Sequence, residues 1–170
     1  MSEFRGSFSD AQRETLLKPI MPHRTTKDVR GFTHLEAFEV KAHLNRIFGF
    51  EGWSTRIDSL ECIFEEAVTW TVQKTGEQKS GWDVAYLCTM TLSVYSDGVL
   101  VKEAGDAATD VATHQPFKGD AHDLAVKSAV SGALKRCATA LGDQFGLSLY
   151  NKGSMEALVK KVIPYESTDE

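Results

Sequence analysis

The run from Ala121 to Lys152, A-H-D-L-A-V-K-S-A-V-S-G-A-L-K-R-C-A-T-A-L-G-D-Q-F-G-L-S-L-Y-N-K, constrains the fold more than any other part of the chain. At about 100° per residue, Val126, Val130, Ala133, Leu134, Cys137 and Leu141 fall on one side of a helix, whereas Lys127, Ser131, Lys135 and Arg136 fall on or towards the other. One side can join a core while the other offers cations. Such a helix needs a second layer, and the chain supplies it upstream, where the apolar period is two. Leu60, Cys62 and Phe64 alternate with polar neighbours, Val68, Trp70 and Val72 repeat the pattern, and Val84, Tyr86, Cys88, Met90, Leu92 and Val94 form the longest alternation in the chain. These runs are antiparallel, half-buried strands.

Turn residues divide the strands. Lys74 to Gly81 is a charged hairpin loop, Ser96-Asp97-Gly98 is a tight turn into a strand over Val99 to Glu103, and Gly105 to Gly119 reads as irregular. Ahead of them, Ser9 to Pro19 is a short helix with Ser9 or Asp10 as its cap, and Ile20 to Phe32 is a loop with a positive bias. Thr33 then caps a helix, Glu36 completing a capping box, with Leu35, Phe38, Val40, Leu44, Ile47 and Phe48 on its apolar side and Gly49 ending it. After Gly153 come a short helix over Met155 to Val162 and an acidic tail from Glu166 to Glu170. The expected fold is α+β, an antiparallel sheet of about four strands packed on a long helix, with a preceding helix. The divisions are an N-terminal helix and basic loop (1–32), a core of β-β-β-α order (33–153) and a C-terminal piece (154–170).

Composition narrows the function classes. The 170 residues, 42% of them hydrophobic, suit one globular domain, and a formal net charge of −5 means that a cationic row on one helix is not general basicity. It asks for an anionic partner. The cysteines, Cys62, Cys88 and Cys137, lie in apolar patterns with no C-x-x-C pair, so they read as small buried hydrophobes of a reducing compartment. The five histidines have no recognised ligand spacing, and the G-x-x-x-x-G-K-S/T loop of nucleotide hydrolases is missing. No metal or cofactor is expected. No apolar run reaches bilayer length and the N-terminus lacks the apolar segment of a secretory signal, so the expectation is a soluble, cytoplasmic protein with no membrane partner.

Two blocks carry a family resemblance. From Leu134, L-K-R-C-A-T-A-L-G-D-Q-F-G-L-S-L-Y-N-K holds a Lys-Arg pair, a small-residue turn, L-G-x-x-x-G and an aliphatic-aromatic run ending in an amide residue and lysine. Upstream, His34 to Trp53 reads H-L-E-A-F-E-V-K-A-H-L-N-R-I-F-G-F-E-G-W, a helix followed by an F-G-F/Y-x-G-W turn. In this order, with strands between, they resemble the Rad-fifty-two single-strand annealing family over roughly Gln12 to Lys152. The resemblance implies a ring-forming fold and ATP-independent binding and annealing of single-stranded DNA in recombination and repair, without enzymatic catalysis. It further implies a homo-oligomeric ring or arc and a host or phage single-strand binding protein as a partner. The short chain, without the C-terminal extension of eukaryotic members, points to a stand-alone annealer of a bacterium or a phage-infected host cell.

The same resemblance proposes site residues. Lys135 and Arg136 match the inner-groove pair, Lys127 a basic position two turns earlier, and Arg24 an arginine ten residues before His34. Lys118 and Lys152 are candidates for a second, outer DNA contact, and His34 stands where a tyrosine is usual, with less area for stacking. Thr139 and Ser96 replace basic residues of the family pattern. The competing reading of Lys135 and Arg136 is a surface pair or a salt bridge to Asp143 or Glu103. Rival functions are a DNA-end protection or scaffold module that does not anneal, and a small cone-shaped α+β enzyme using Asp83, Asp106 or His122 as acid or base.

Overall fold

The structure, a computed structural model, describes residues 6–165, so the acidic tail lies outside the described residues. The chain divides into two compact units, the first comprising Met1–Ser54, Leu92–Ala104 and Ala138–Glu170 and the second Thr55–Thr91 and Gly105–Cys137.

In the first unit, helix α1 (Asp10–Leu16) starts as expected at Ser9. The Gln12 N–H donates to Ser9 Oγ at 3.2 Å and the Ser9 N–H donates to Gln12 Oε1 at 2.9 Å. The basic loop then forms a small hairpin, β1 (Thr26–Lys27) antiparallel to β2 (Thr33–His34). Its tip is closed by Asp28 Oδ1, which accepts the N–H groups of Arg30 and Phe32. Because Thr33 is committed to this pairing, the expected Thr33–Glu36 capping box does not form. Helix α2 (Ala37–Phe48) instead takes Glu36 as its cap residue, without a side-chain cap bond, and ends at Gly49 with φ 81°. It buries Val40, His43, Leu44 and Phe48, while Phe38 stays exposed. The turn that follows requires Gly52, where a Cβ would lie 2.0 Å from the Phe48 carbonyl oxygen.

Three long strands, β3 (Trp53–Thr71), β4 (Gln78–Ser96) and β5 (Val99–Gln115), form an antiparallel sheet in the order β3-β4-β5. Two of the alternating runs, Leu60 to Phe64 and Val68 to Val72, are consecutive stretches of β3, so the count is three and not about four. The central strand β4 buries Val84, Cys88, Met90, Leu92 and Val94. As the outer strand, β3 leaves Leu60, Cys62, Ile63 and Phe64 exposed, which corrects the expectation of a buried Cys62. Gly105 to Gln115, expected to be irregular, is paired strand. Its small residues give no alternating signal but let a helix approach.

That helix is α3 (Lys118–Ala138). Its core face is an alanine stripe at i, i+4 spacing, Ala121, Ala125, Ala129 and Ala133, fully buried, whereas Val126 and Val130 are only half-buried. Ala121 and Ala125 pack with Val84 of β4 and Ala112 of β5, flanked by Trp82 and Tyr86. A Cβ on Gly132 would lie 3.1 Å from the Ala108 Cβ, which shows how closely the layers meet. The helix ends before Lys152. Single turns over Thr139–Leu141, Asp143–Phe145 and Leu147–Tyr150 are separated by Gly142 (φ 96°) and Gly146 (φ 91°). The expected helix over Met155 to Val162 is absent, being too short to stand without a packed face. Among the described residues no helix is long and apolar enough to cross a membrane.

Candidate nucleic-acid interface

Four expected site cations lie on α3, in the second unit. Since the alanine stripe is committed to the sheet, the longer side chains take the remaining circumference. Lys127 is exposed and forms an i, i+4 pair with Asp123 at 2.6 Å. Lys135 is half-exposed and has no ion-pair partner among the described residues. Arg136 Nε donates to Asp106 Oδ1 at 3.1 Å, both side chains being partly solvated. This carboxylate is supplied by β5. Lys118 donates to Glu65 Oε1 at 2.8 Å and lies 4.7 Å over the Trp82 ring. Exposed, solvated pairs of this kind are worth little to stability.

In the first unit the three remaining candidates have unlike settings. Lys152 is exposed, in the left-handed region at φ 54°. The His34 Nε2 lies 3.0 Å from Glu36 Oε1, with Thr26 Oγ1 at 3.3 Å, so its ring plane is held by polar neighbours. Arg24, expected to reach out over a groove, is drawn inward. Its side chain is only 6% exposed, with Nε donating to Glu39 Oε1 at 2.7 Å and Nη1 to the Gln144 carbonyl oxygen at 2.9 Å. Burial lowers its pKa and the Glu39 hydrogen bond partly restores it.

Around Arg24 lies a polar network that sequence spacing does not reveal. The hydrogen bond from Arg46, with that from Arg24, holds the Glu39 carboxylate down to about 2 against the cost of burial. Burial pushes His43 down to about 4, and its Nε2 lies 2.8 Å from Gln144 Oε1. The neutral ring donates there, while the Gln144 amide donates to the carbonyls of Lys18 and Pro19. This is a scaffold that fixes the basic loop. What the loop itself presents, and the sequence analysis passed over, is the β1–β2 tip, where Lys27, Val29, Arg30 and Phe32 are all exposed. The signal for it was the D-V-R-G turn between two threonine-containing pairs.

The residues of the rival enzyme reading are occupied separately. Asp83 accepts the His114 N–H, Asp106 pairs with Arg136, and His122 meets Glu65 and Tyr86. Trp53 donates its indole N–H to Asn45 Oδ1 at 2.7 Å, so it braces the end of α2.

Comparison with known proteins agrees with the resemblance read from the two sequence blocks. Residues 10–166 match the model of the Rad52/22 family double-strand break repair protein. The chain is 26% identical to the DNA repair and recombination protein rti1 of Schizosaccharomyces pombe, over 93% of this chain and 40% of that protein. It is 28% identical to the DNA repair and recombination protein RAD52 of Saccharomyces cerevisiae, over 91% and 31%, and 29% identical to that of Eremothecium gossypii, over 96% and 35%. The chain therefore spans only about a third of the length of these curated relatives. With a helix-on-sheet fold in the expected order and a family match along almost its whole length, the chain belongs to the Rad52/22 family of double-strand break repair proteins.

Proposed function

We propose that the protein binds single-stranded DNA and anneals complementary strands in recombination and repair, without nucleotide hydrolysis and without acting as an enzyme. The observation that carries this reading is the division of α3. Its alanine stripe is spent on the core, and Lys127, Lys135 and Arg136 stand outside it on a chain that is acidic overall. The names of the relatives, DNA repair and recombination proteins, support the same class of substrate.

Annealing needs no acid, base or nucleophile. It needs a surface that neutralises phosphates and leaves base edges free to pair. Lys135 acts as a point charge and Arg136 as a planar fork that exchanges Asp106 for a phosphate. Lys127 extends the track, and Lys118 in the second unit and Lys152 in the first are each candidates for weaker, outer contacts. In the first unit His34 and the hairpin tip, with Lys27, Arg30 and Phe32, offer charge and a stacking ring. Arg24, held by Glu39 and Gln144, is a structural residue in this reading. The working form is a homo-oligomeric ring or arc, a single-strand binding protein is its partner on DNA, and its place is a compartment that holds DNA.

The test is a fluorescence annealing assay on complementary oligonucleotides with no nucleotide present. The parent protein accelerates annealing, and Lys135→Ala with Arg136→Ala abolishes it while the circular dichroism spectrum is unchanged. A double variant that anneals like the parent overturns the assignment of α3.

A further inference from the structure

Three metal-binding groups of the second unit meet where β3 faces α3. The thiol of Cys62, the carboxylate of Glu65 and the imidazole of His122 offer ligand atoms that all lie within 4.8 Å of one another. Sequence spacing hides this cluster, because 57 residues separate Glu65 from His122. Residues three apart in a regular strand face opposite ways, yet Cys62 and Glu65 both reach the same imidazole. Beside this imidazole the Cys62 thiol also meets the Phe64 carbonyl oxygen at 3.4 Å.

The imidazole is already oriented. Nε2 of His122 faces Glu65 Oε2 at 2.5 Å, and Nδ1 lies 2.8 Å from the Tyr86 hydroxyl. A hydrogen bond on the second ring nitrogen is what sets the tautomer and ring plane of a metal-bound histidine. Lys118 occupies the other carboxylate oxygen, Oε1, at 2.8 Å and leaves Oε2 for the cluster.

We propose that Cys62, Glu65 and His122 form a zinc site, with Tyr86 as a positioning residue and water as the fourth ligand. A thiolate and an imidazole in one set select a borderline-soft ion such as Zn²⁺ over Mg²⁺ or Ca²⁺. With zinc–ligand bonds of about 2.0–2.3 Å, tetrahedral ligand atoms sit roughly 3.3–3.8 Å apart, so the cluster closes on the ion by side-chain shifts on the order of 1 Å. Binding releases the Cys62 thiol proton to solvent, and the proton that Nε2 of His122 shares with Glu65 is lost from Nε2 and replaced by one at Nδ1, so that the neutral ring offers its Nε2 lone pair to the ion while Nδ1–H donates to the Tyr86 hydroxyl. The ion ties the outer strand to the helix. The zinc site does not rest on the DNA-binding reading, although Lys118 is common to both through its pair with Glu65, and its test contains no DNA.

Co²⁺, as a spectroscopic stand-in, is titrated into the purified full chain after chelator treatment. The expected result is one Co²⁺ per chain, with a thiolate-to-cobalt charge-transfer band and tetrahedral visible bands, all displaced by stoichiometric Zn²⁺. Cys62→Ser, at an exposed position that leaves the fold intact, removes the charge-transfer band and the rise in melting temperature that Zn²⁺ gives the parent. Glu65→Gln and His122→Gln weaken Zn²⁺ at least tenfold, and Tyr86→Phe weakens it about ten- to hundredfold by loosening the ring. A parent protein with no thiolate band, or a band that survives Cys62→Ser, overturns the proposal.

Discussion

At the scale of single residues, the decisive contrast is between two kinds of arginine. Arg136 pairs with Asp106 at a partly solvated position, whereas Arg24 is enclosed with Glu39 and Gln144. Removing one partner of a buried pair leaves an uncompensated charge, so Glu39→Gln is expected to destabilise the protein by about 3 kcal/mol in urea unfolding. Arg136→Ala is expected to stay within about 0.5 kcal/mol of the parent. The same network sets a pH dependence. His43 is held at about 4 in the fold against an ordinary 6.5, so between these values the unfolded chain binds more protons and stability falls as pH falls. Glu39, held at about 2 against an ordinary 4.5, contributes fully above 4.5 and loses its contribution as pH falls towards 2. Urea midpoints should therefore decline from pH 6.5 downward in two overlapping phases, and His43→Gln should flatten the upper one. A midpoint constant between pH 7 and 4 contradicts this account.

At the scale of elements, α3 meets the sheet through small side chains, the alanine stripe, Gly132 and Cys137, whose thiol lies 3.3 Å from the Met90 carbonyl oxygen. Gly132→Leu pushes a branched side chain against Ala108, whose Cβ lies 3.1 Å from the position of an added Cβ, and neither backbone can yield freely. The expected cost is about 1–3 kcal/mol, read as a lower melting temperature. Ser131→Leu, on the half-buried flank of the same turn, serves as the control and should cost less. Equal losses in the two variants mean that the close contact is not what limits this interface. The strand β5 makes the complementary point. Its residues D-A-A-T-D-V-A lack strand-forming alternation, and what holds them extended is the ladder with β4 and the smallness that α3 demands.

At the scale of the whole molecule, both outer strands of the sheet carry exposed apolar side chains, Ile57 and Ile63 on β3 and Val111 on β5. Long apolar edges invite pairing with another chain, and unlike edges that meet repeatedly close into a ring when the rotation allows. Light scattering of the purified protein is expected to give a particle well above a dimer, and Ile57→Lys to shift it towards smaller species. A monodisperse monomer at micromolar concentration that still anneals removes the ring and leaves the α3 surface standing. Binding to single-stranded DNA should also weaken with salt at a log-log slope near −0.7 per phosphate contacted. Deleting the acidic run from Glu166 to Glu170 should leave the melting temperature unchanged and tighten DNA binding slightly, because its charge repels phosphate.

What the sequence determined by itself was everything carried by neighbouring residues. The alternation from Val84 to Val94 marked the central strand, Ser9 and Gln12 marked the start of α1, Asp97-Gly98 marked the tight turn, and the blocks around Phe48 and Lys135 marked the family. Periodicity, capping and turn chemistry are local, so they can be read without the fold. Tertiary structure decided what depends on partners distant in the chain. Arg24 is buried because Gln144, 120 residues away, accepts its hydrogen bond, and Cys62 is exposed because β3 is the outermost strand. From Ala121 to Ala133 the core face of α3 is the alanine stripe and not its valines, because the sheet approaches closely there, whereas Leu134 and Cys137 are buried as their spacing predicted. Glu65 and His122 meet only because strand and helix pack together. A side chain's type is written in the sequence, but its exposure and its partner are properties of the packed layers.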